Sequence, residues 1–218
     1  MKNIFFIAAV LWTYCLSAAT KQPEQIIPVP FNEVTLTGGF WGELMQTELD
    51  VTLPFSLVQA GPAIEQLQGG ADFLEGRGGQ SISNNGPLSS DLYKIMEGAA
   101  YSLMLRPDPE LEAKMDSLID IIGRAQQKDG YLFVCHTCGC FDPFWVGDKP
   151  YSKVVYSHEL YNVGHLYEAA AAYYQATGKR TLLDIAIKNA RHVNRVFFEG
   201  DPAYNDGKPV MQAPGHEE

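Results

Sequence analysis

His158, Asn162 and His165 stand at i, i+4 and i+7 in a stretch whose apolar residues recur with helical period, so all three project from one helix face. A polar stripe of this kind lines a cavity or meets solvent. At a helix start the positive end of the dipole favours a neutral imidazole, which suits His158 to meet a ligand carried by nearby loops. His165, deeper in an Ala-rich helix, fits a satisfied core histidine. The zinc-protease pattern H-E-x-x-H begins at His158-Glu159 and fails at Asn162, which disfavours that chemistry.

Other reactive residue types sit in loops. His216 follows Pro214-Gly215 and precedes Glu217-Glu218, as at a helix start on a cavity rim or, equally, in a tail. Cys135, Cys138 and Cys140, with His136 between them, form C-H-x-C-x-C. That spacing holds a soft metal if a fourth ligand exists, or in an exported chain leaves one disulfide and one thiol. Phe141, Phe144, Trp145 and Tyr151 surround the cluster in a Gly- and Pro-rich loop, where aromatics stack on sugar rings or pack the loop down. Asp91, Asp129 and Glu159 lie nearest helix ends as capping candidates, and no carboxylate pair is singled out by spacing as the acid and nucleophile of a glycosidase. The residue types point to a carbohydrate-active site without a complete catalytic apparatus.

Helix hairpins must position these groups. Residues 20–39 are Pro-rich and β-branched and read as an extended lead-in. Phe40-Trp41 opens a helix ending near Pro54 or Leu57, and the Gly-rich stretch from Gly61 to Gly86 reads as a long functional rim loop. Ser89 or Ser90 caps a helix carrying Leu92, Met96, Ala99 and Leu103 at helical spacing. Asp108 as N-cap with Pro109 at the first helical position opens the next, lined by Leu111, Met115, Leu118 and Ile122. A second hairpin spans residues 157–177 and 181–198 and turns at Gly178. An all-α toroid or solenoid of helix pairs follows, and a closed ring needs more pairs than the two and a half present here.

Lys2, the apolar run from Ile4 to Trp12 and the small residues Ser17-Ala18-Ala19 form a secretory signal cleaved after Ala19, so residues 1–19 are set apart and a periplasmic or secreted product is expected. Cys15 offers a lipoprotein alternative, against which bulky Tyr14 argues. No second run approaches the ~20 apolar residues of a membrane span. A net charge of −10 without a basic cluster in the sequence disfavours nucleic acid and anionic membranes as partners. With 46% hydrophobic and 19% charged residues, the chain is a folded one.

Ser90-Asp91-Leu92-Tyr93-Lys94, residues 125–132 (AQQKDGYL), residues 157–161 (SHELY), residues 164–170 (GHLYEAA), Tyr173 to Lys179 and Gly215-His216-Glu217 occur in an order that resembles glycoside hydrolase family 127 and its close relatives, the β-L-arabinofuranosidases. The matches run from about Phe40 to the terminus. The resemblance implies an (α/α)6 barrel, with residues 40–218 as its N-terminal half, that removes terminal β-L-arabinofuranose from plant-type glycans with retention. It implies sugar contacts for His158 and His216, and for a glutamine best matched by Gln59 in a diverged stretch. It also implies a zinc-held cysteine thiolate as nucleophile, with further cysteine and glutamate ligands and a separate glutamate as acid/base. Those motifs have no match in this chain, and Cys135, Cys138 and Cys140 differ from them in position and context. The alternatives are a non-catalytic sugar-binding or helical-array module, or an inactive truncated product.

Overall fold

The computed structural model describes residues 26–78, 89–138 and 143–210, without the side chains of Phe31, Pro143 and Phe144. The first 19 residues, Cys140, Phe141 and His216 lie outside the described residues. Contacts divide the chain into two units, Met1–Val34 and Thr35–Glu218. In the first, the described residues have no regular structure apart from one turn at Phe31–Glu33, closed by the Glu33 N–H donating to the Pro30 carbonyl at 2.9 Å.

The second unit is helical, with no strand among its described residues. Helix α1 (Gly39–Thr47) continues through a widened turn at Glu48–Thr52 into α2 (Leu53–Gln59). Pro54 accounts for the widening: it lacks an N–H and its ring crowds the carbonyl one turn earlier, so the backbone opens just before it. Leu53, Leu57 and Ala60 face the core. Phe40, Leu44, Val51, Phe55 and Val58 form a second apolar stripe, each at least half exposed. An exposed contiguous stripe of this kind promotes association.

The first part of the Gly-rich rim loop expected from Gly61 to Gly86 is instead a helix, α3 (Gly61–Leu74). Pro62 fits a first-turn position, and Ala63, Leu67, Gly70 and Ala71 make one buried face. Its glycines allow close approach: a Cβ on Gly70 would stand 3.0 Å from a Val134 methyl. Composition suggested a loop, but the helical spacing of the small apolar residues prevailed.

Helices α4 (Ser89–Leu105) and α5 (Pro109–Ala125) form the expected hairpin. Asp108 caps α5, its Oδ1 accepting from the Glu110 and Leu111 N–H groups at 3.1 and 3.0 Å. Helices α6 (Glu159–Thr177) and α7 (Thr181–Asn194) form the second, joined at Gly178 in the left-handed conformation, φ 72°. The most extensive helix interface joins α4 to α6, where Ala99 and Ala100 of one and Ala169, Ala170 and Ala172 of the other are buried. Small side chains let the two backbones approach closely, so the inner helices pair directly. Helix α5 packs on α3 and α7, giving hairpins laid side by side as part of an α/α barrel.

At one end the loop after α5 is pinned to α7. The Gly130 carbonyl accepts from Asn189 Nδ2 at 2.9 Å and Gln126 Nε2 at 3.2 Å, and Gln126 also donates to the Ile185 carbonyl. Gly130 has φ 103°, and a Cβ there would stand 2.5 Å from the Lys188 carbonyl oxygen.

Three substitutions test this packing. Gly130→Ala should destabilise the fold by about 2–3 kcal/mol in urea melts, since strain and a backbone clash combine. Gly178→Ala, with open space around its Cβ, should cost only about 1 kcal/mol. Phe55→Glu combined with Val58→Glu should shift the purified chain toward monomer by light scattering, an unchanged mass being the contrary result.

Candidate functional site

A short ladder of hydrogen bonds leads from the loop after α5 to the start of α6. The Gln127 N–H donates to the Tyr131 carbonyl and the Gly130 N–H to the Gln127 carbonyl, closing a tight turn. Asp129 braces the turn from outside, with Oδ1 accepting from the Tyr131 N–H at 3.0 Å and Oδ2 from the Tyr204 hydroxyl at 2.8 Å. These bonds outweigh the opposing effect of burial, the largest single influence, and hold its carboxyl below the ordinary aspartate range. The turn thereby directs the Tyr131 ring inward.

Tyr131 reaches Glu159, the first residue of α6, which is 2% exposed. Glu159 Oε1 accepts from the Tyr131 hydroxyl at 2.5 Å and the Tyr151 N–H at 3.0 Å, while Oε2 accepts from the Ser157 hydroxyl at 2.5 Å and lies 3.2 Å from the Tyr151 nitrogen. Burial raises its pKa more than those donors lower it. Burial, with the neighbouring carboxylate, drives the Tyr131 and Tyr151 phenols well above their usual range, so both keep their protons. Donors 2, 8 and 28 residues before Glu159 thus end on one carboxylate.

His158 is caught between Ser157 and Glu159 and adopts φ 56°, ψ 26°, a left-handed conformation costing about 1–2 kcal/mol for a residue with a side chain. It is therefore the N-cap of α6, outside its first turn. Its carbonyl accepts from the Asn162 N–H at 3.0 Å and from Asn162 Nδ2 at 2.8 Å. Asn162 Oδ1 in turn accepts from the Ser90 N–H at 2.8 Å, at the start of α4. The expected polar stripe is corrected here: Asn162 is buried as a clamp between helices and does not meet solvent. Both ends of its amide bond to backbone groups.

The His158 ring is half-buried, 5.8 Å from the Trp145 ring and 5.9 Å from that of Tyr161. Lys94 Nζ lies 2.6 Å from the Tyr161 hydroxyl and 4.7 Å from its ring centroid. Trp145 is 41% exposed, which leaves aromatic surface beside an imidazole. His165 is buried, edge-on to Tyr161 at 4.7 Å, with Nδ1 3.1 Å from Glu168 Oε2, as a core histidine.

Behind this set lies an aromatic cluster around His192, which is fully buried. Its ring centroid is 5.6 Å from Tyr131, 5.9 Å from Tyr151 and 5.1 Å from Tyr204, and Nδ1 is 3.5 Å from Asp129 Oδ2. Burial lowers its pKa more than Asp129 raises it. Tyr151 and Tyr204 also line a cleft of about 760 Å³ edged by Asp148 and Asp206.

The remaining expectations fall unevenly. Gln59 is exposed at the end of α2. Gln66, seven residues on, is a buried glutamine, with Nε2 3.9 Å from Cys135 Sγ. Cys135 and Cys138 are buried, and the described residues contain no group of three or more His, Cys, Asp or Glu able to hold a metal. Asp91 is exposed. Sequence reasoning missed the anchoring role of Glu159 and the burial of His192. The apolar residues Leu182, Ala186 and Val196, which recur at helical spacing around it, were the available signal for the latter.

Residues 33–209 match the family model for the beta-L-arabinofuranosidase GH127 catalytic domain. A non-reducing end beta-L-arabinofuranosidase of Bifidobacterium longum subsp. longum is 36% identical over 176 residues, covering 79% of this chain and 26% of that protein. Among solved structures, the GH127 beta-arabinofuranosidase BT3674 is 36% identical with a TM-score of 0.75, over 87% of this chain and 29% of that one. A GH127 beta-L-arabinofuranosidase from Geobacillus stearothermophilus T6 is 33% identical with a TM-score of 0.66, over 85% and 28%. The chain therefore spans about a quarter of the curated relative's length.

The His192 environment yields a pH prediction. A folded-state pKa below the ordinary 6.5 means the unfolded chain takes up the proton first, so this group's stabilising contribution is lost as pH falls from about 6.5 through the folded pKa. Between about pH 7.5 and 5.5, His192→Leu should lose less stability than the parent in urea titrations. Glu159 titrates with the opposite sign and is common to both proteins, so the difference isolates the histidine. Equal slopes would contradict the buried neutral imidazole.

Proposed function

Because the chain belongs to the beta-L-arabinofuranosidase GH127 catalytic-domain family, we propose that it supplies part of the sugar-binding wall of a secreted glycoside hydrolase. That enzyme removes terminal β-L-arabinofuranose from plant-type glycans with retention. The observation that carries the reading is His158: a polar ring beside exposed Trp145, with its backbone held at an otherwise unfavourable geometry by the Glu159 and Asn162 bonds. A pre-positioned imidazole offers a donor or an acceptor to a sugar hydroxyl, and the indole offers a face to the ring. Fixing these groups before substrate arrives reduces the ordering cost of binding.

His216 and Gln59, the latter exposed at the end of α2, are assigned to the same sugar by family resemblance. The zinc expected for this family has no ligand set among the described residues. Its cysteine and glutamate ligands, the thiolate nucleophile and the acid/base glutamate are assigned to the part of the enzyme outside this chain. The residues here bind and orient the substrate, and no bond-breaking step is assigned to them. Residues 1–19 are proposed to direct export to the periplasm or beyond.

The test is His158→Gly in a family enzyme carrying this chain as its N-terminal part, because glycine removes the imidazole while accepting the left-handed backbone. On a β-L-arabinofuranoside, kcat/KM should fall at least tenfold, about 1.4 kcal/mol of transition-state binding, with thermal stability maintained or raised. Unchanged kcat/KM would defeat the assignment. Sugar binding without hydrolysis by the parent enzyme would favour a non-catalytic module.

A further inference from the structure

The acidic sequence hides a basic surface. Lys128, Arg180, Lys188, Arg191 and Arg195 line one groove of about 480 Å³ together with Asp129 and Asp184, a lining charge of +3 on a chain whose net charge is −10. No basic cluster is visible in the sequence because the cations recur every three to eight residues. On α7 and its flanks that spacing places Arg180, Lys188, Arg191 and Arg195 along one outward stripe, and the turn after α5 adds Lys128.

We propose that this groove is a non-catalytic binding site for an acidic, uronate-bearing glycan. The cations do not converge on a point: Arg180 to Arg195 spans fifteen residues, about 22 Å of helix. A row suits an extended polymer with repeated single charges better than one small anion. Two arginines are already engaged, Arg180 with Asp184 at 2.7 Å and Arg195 with the Asp129 carbonyl at 2.8 Å and the Asp201 carboxylate at 3.4 Å. Lys128, Lys188 and Arg191 are exposed and make no ion pair among the described residues. Asp129 keeps its negative charge and is already counted in the net charge of the lining.

Screening over about 10 Å at 0.1 M salt means that a bound carboxylate responds to these neighbours more than to distant acidic residues. Guanidinium and ammonium groups supply charge-assisted hydrogen bonds to carboxylates. Ile187 is the only apolar residue in the lining, so the groove lacks the aromatic platforms on which nucleic-acid bases stack. The chain's membership of a glycosidase family makes a glycan the fitting polyanion. The inference rests on that membership and not on the arabinofuranoside assignment.

The experiment is calorimetric titration of the full chain at about 0.1 M salt with polygalacturonate, its fully methyl-esterified form and poly-L-glutamate at matched charge. Polygalacturonate should bind, and the ester should bind at least tenfold more weakly. Lys188→Glu with Arg191→Glu should lower polygalacturonate affinity at least tenfold at unchanged circular dichroism. If that variant does not fold, Lys128→Glu on the separate turn should weaken binding at least threefold. The proposal is overturned by no binding of polygalacturonate, by binding that survives the substitutions in a folded variant, or by poly-L-glutamate binding as tightly. Hydrolysis is not read in any arm, so this result and that for His158 fail or succeed separately.

Discussion

The buried carboxylate of Glu159 is the constraint on which the functional end of the molecule depends. A carboxylate removed from water is costly unless donors replace its hydration. Here the replacement comes from the Tyr131 hydroxyl, the Ser157 hydroxyl and the Tyr151 backbone N–H. Each belongs to a different part of the segment before α6, so satisfying one carboxylate requires all three to be in place. The loop is thereby ordered around a single group.

That arrangement carries outward in two directions. Toward the solvent, Ser157 and Glu159 bracket His158, and Asn162 secures its carbonyl while joining α6 to α4 through Ser90. A strained residue persists because its neighbours over-determine it, a pattern common at ligand sites. Toward the interior, Tyr131 and Tyr151 pack around His192, and Asp129 links that cluster through Tyr204 to the later loop. Asp129 also accepts Arg195 at its carbonyl, so the aromatic cluster and the basic groove share a wall.

Much of the fold was legible locally. Asp108-Pro109 marks a helix start because a side-chain acceptor and a missing N–H both suit that position. Gly178 marks a turn because it accepts positive φ freely. The α3 region misled because Gly69, Gly70 and their neighbours are poor helix formers, and only burial of one face against α5 and Val134 makes the helix favourable. The site was partly legible: His158 stood out by type and place, while Asn162 looked like its partner on a cavity wall and is a buried clamp.

The sequence alone determined the helical class, the hairpin order and the family, since these rest on periodicity, caps and ordered motifs carried by neighbouring residues. Tertiary structure alone decided which polar groups are buried and which meet solvent. Glu159 is a capping candidate by position, and only the approach of Tyr131, Tyr151 and Ser157 makes it an anchor. Likewise, cations spread from Lys128 to Arg195 become one surface only when two helix ends bring them together. Burial and charge density depend on distances in space, which residue spacing along the chain does not specify.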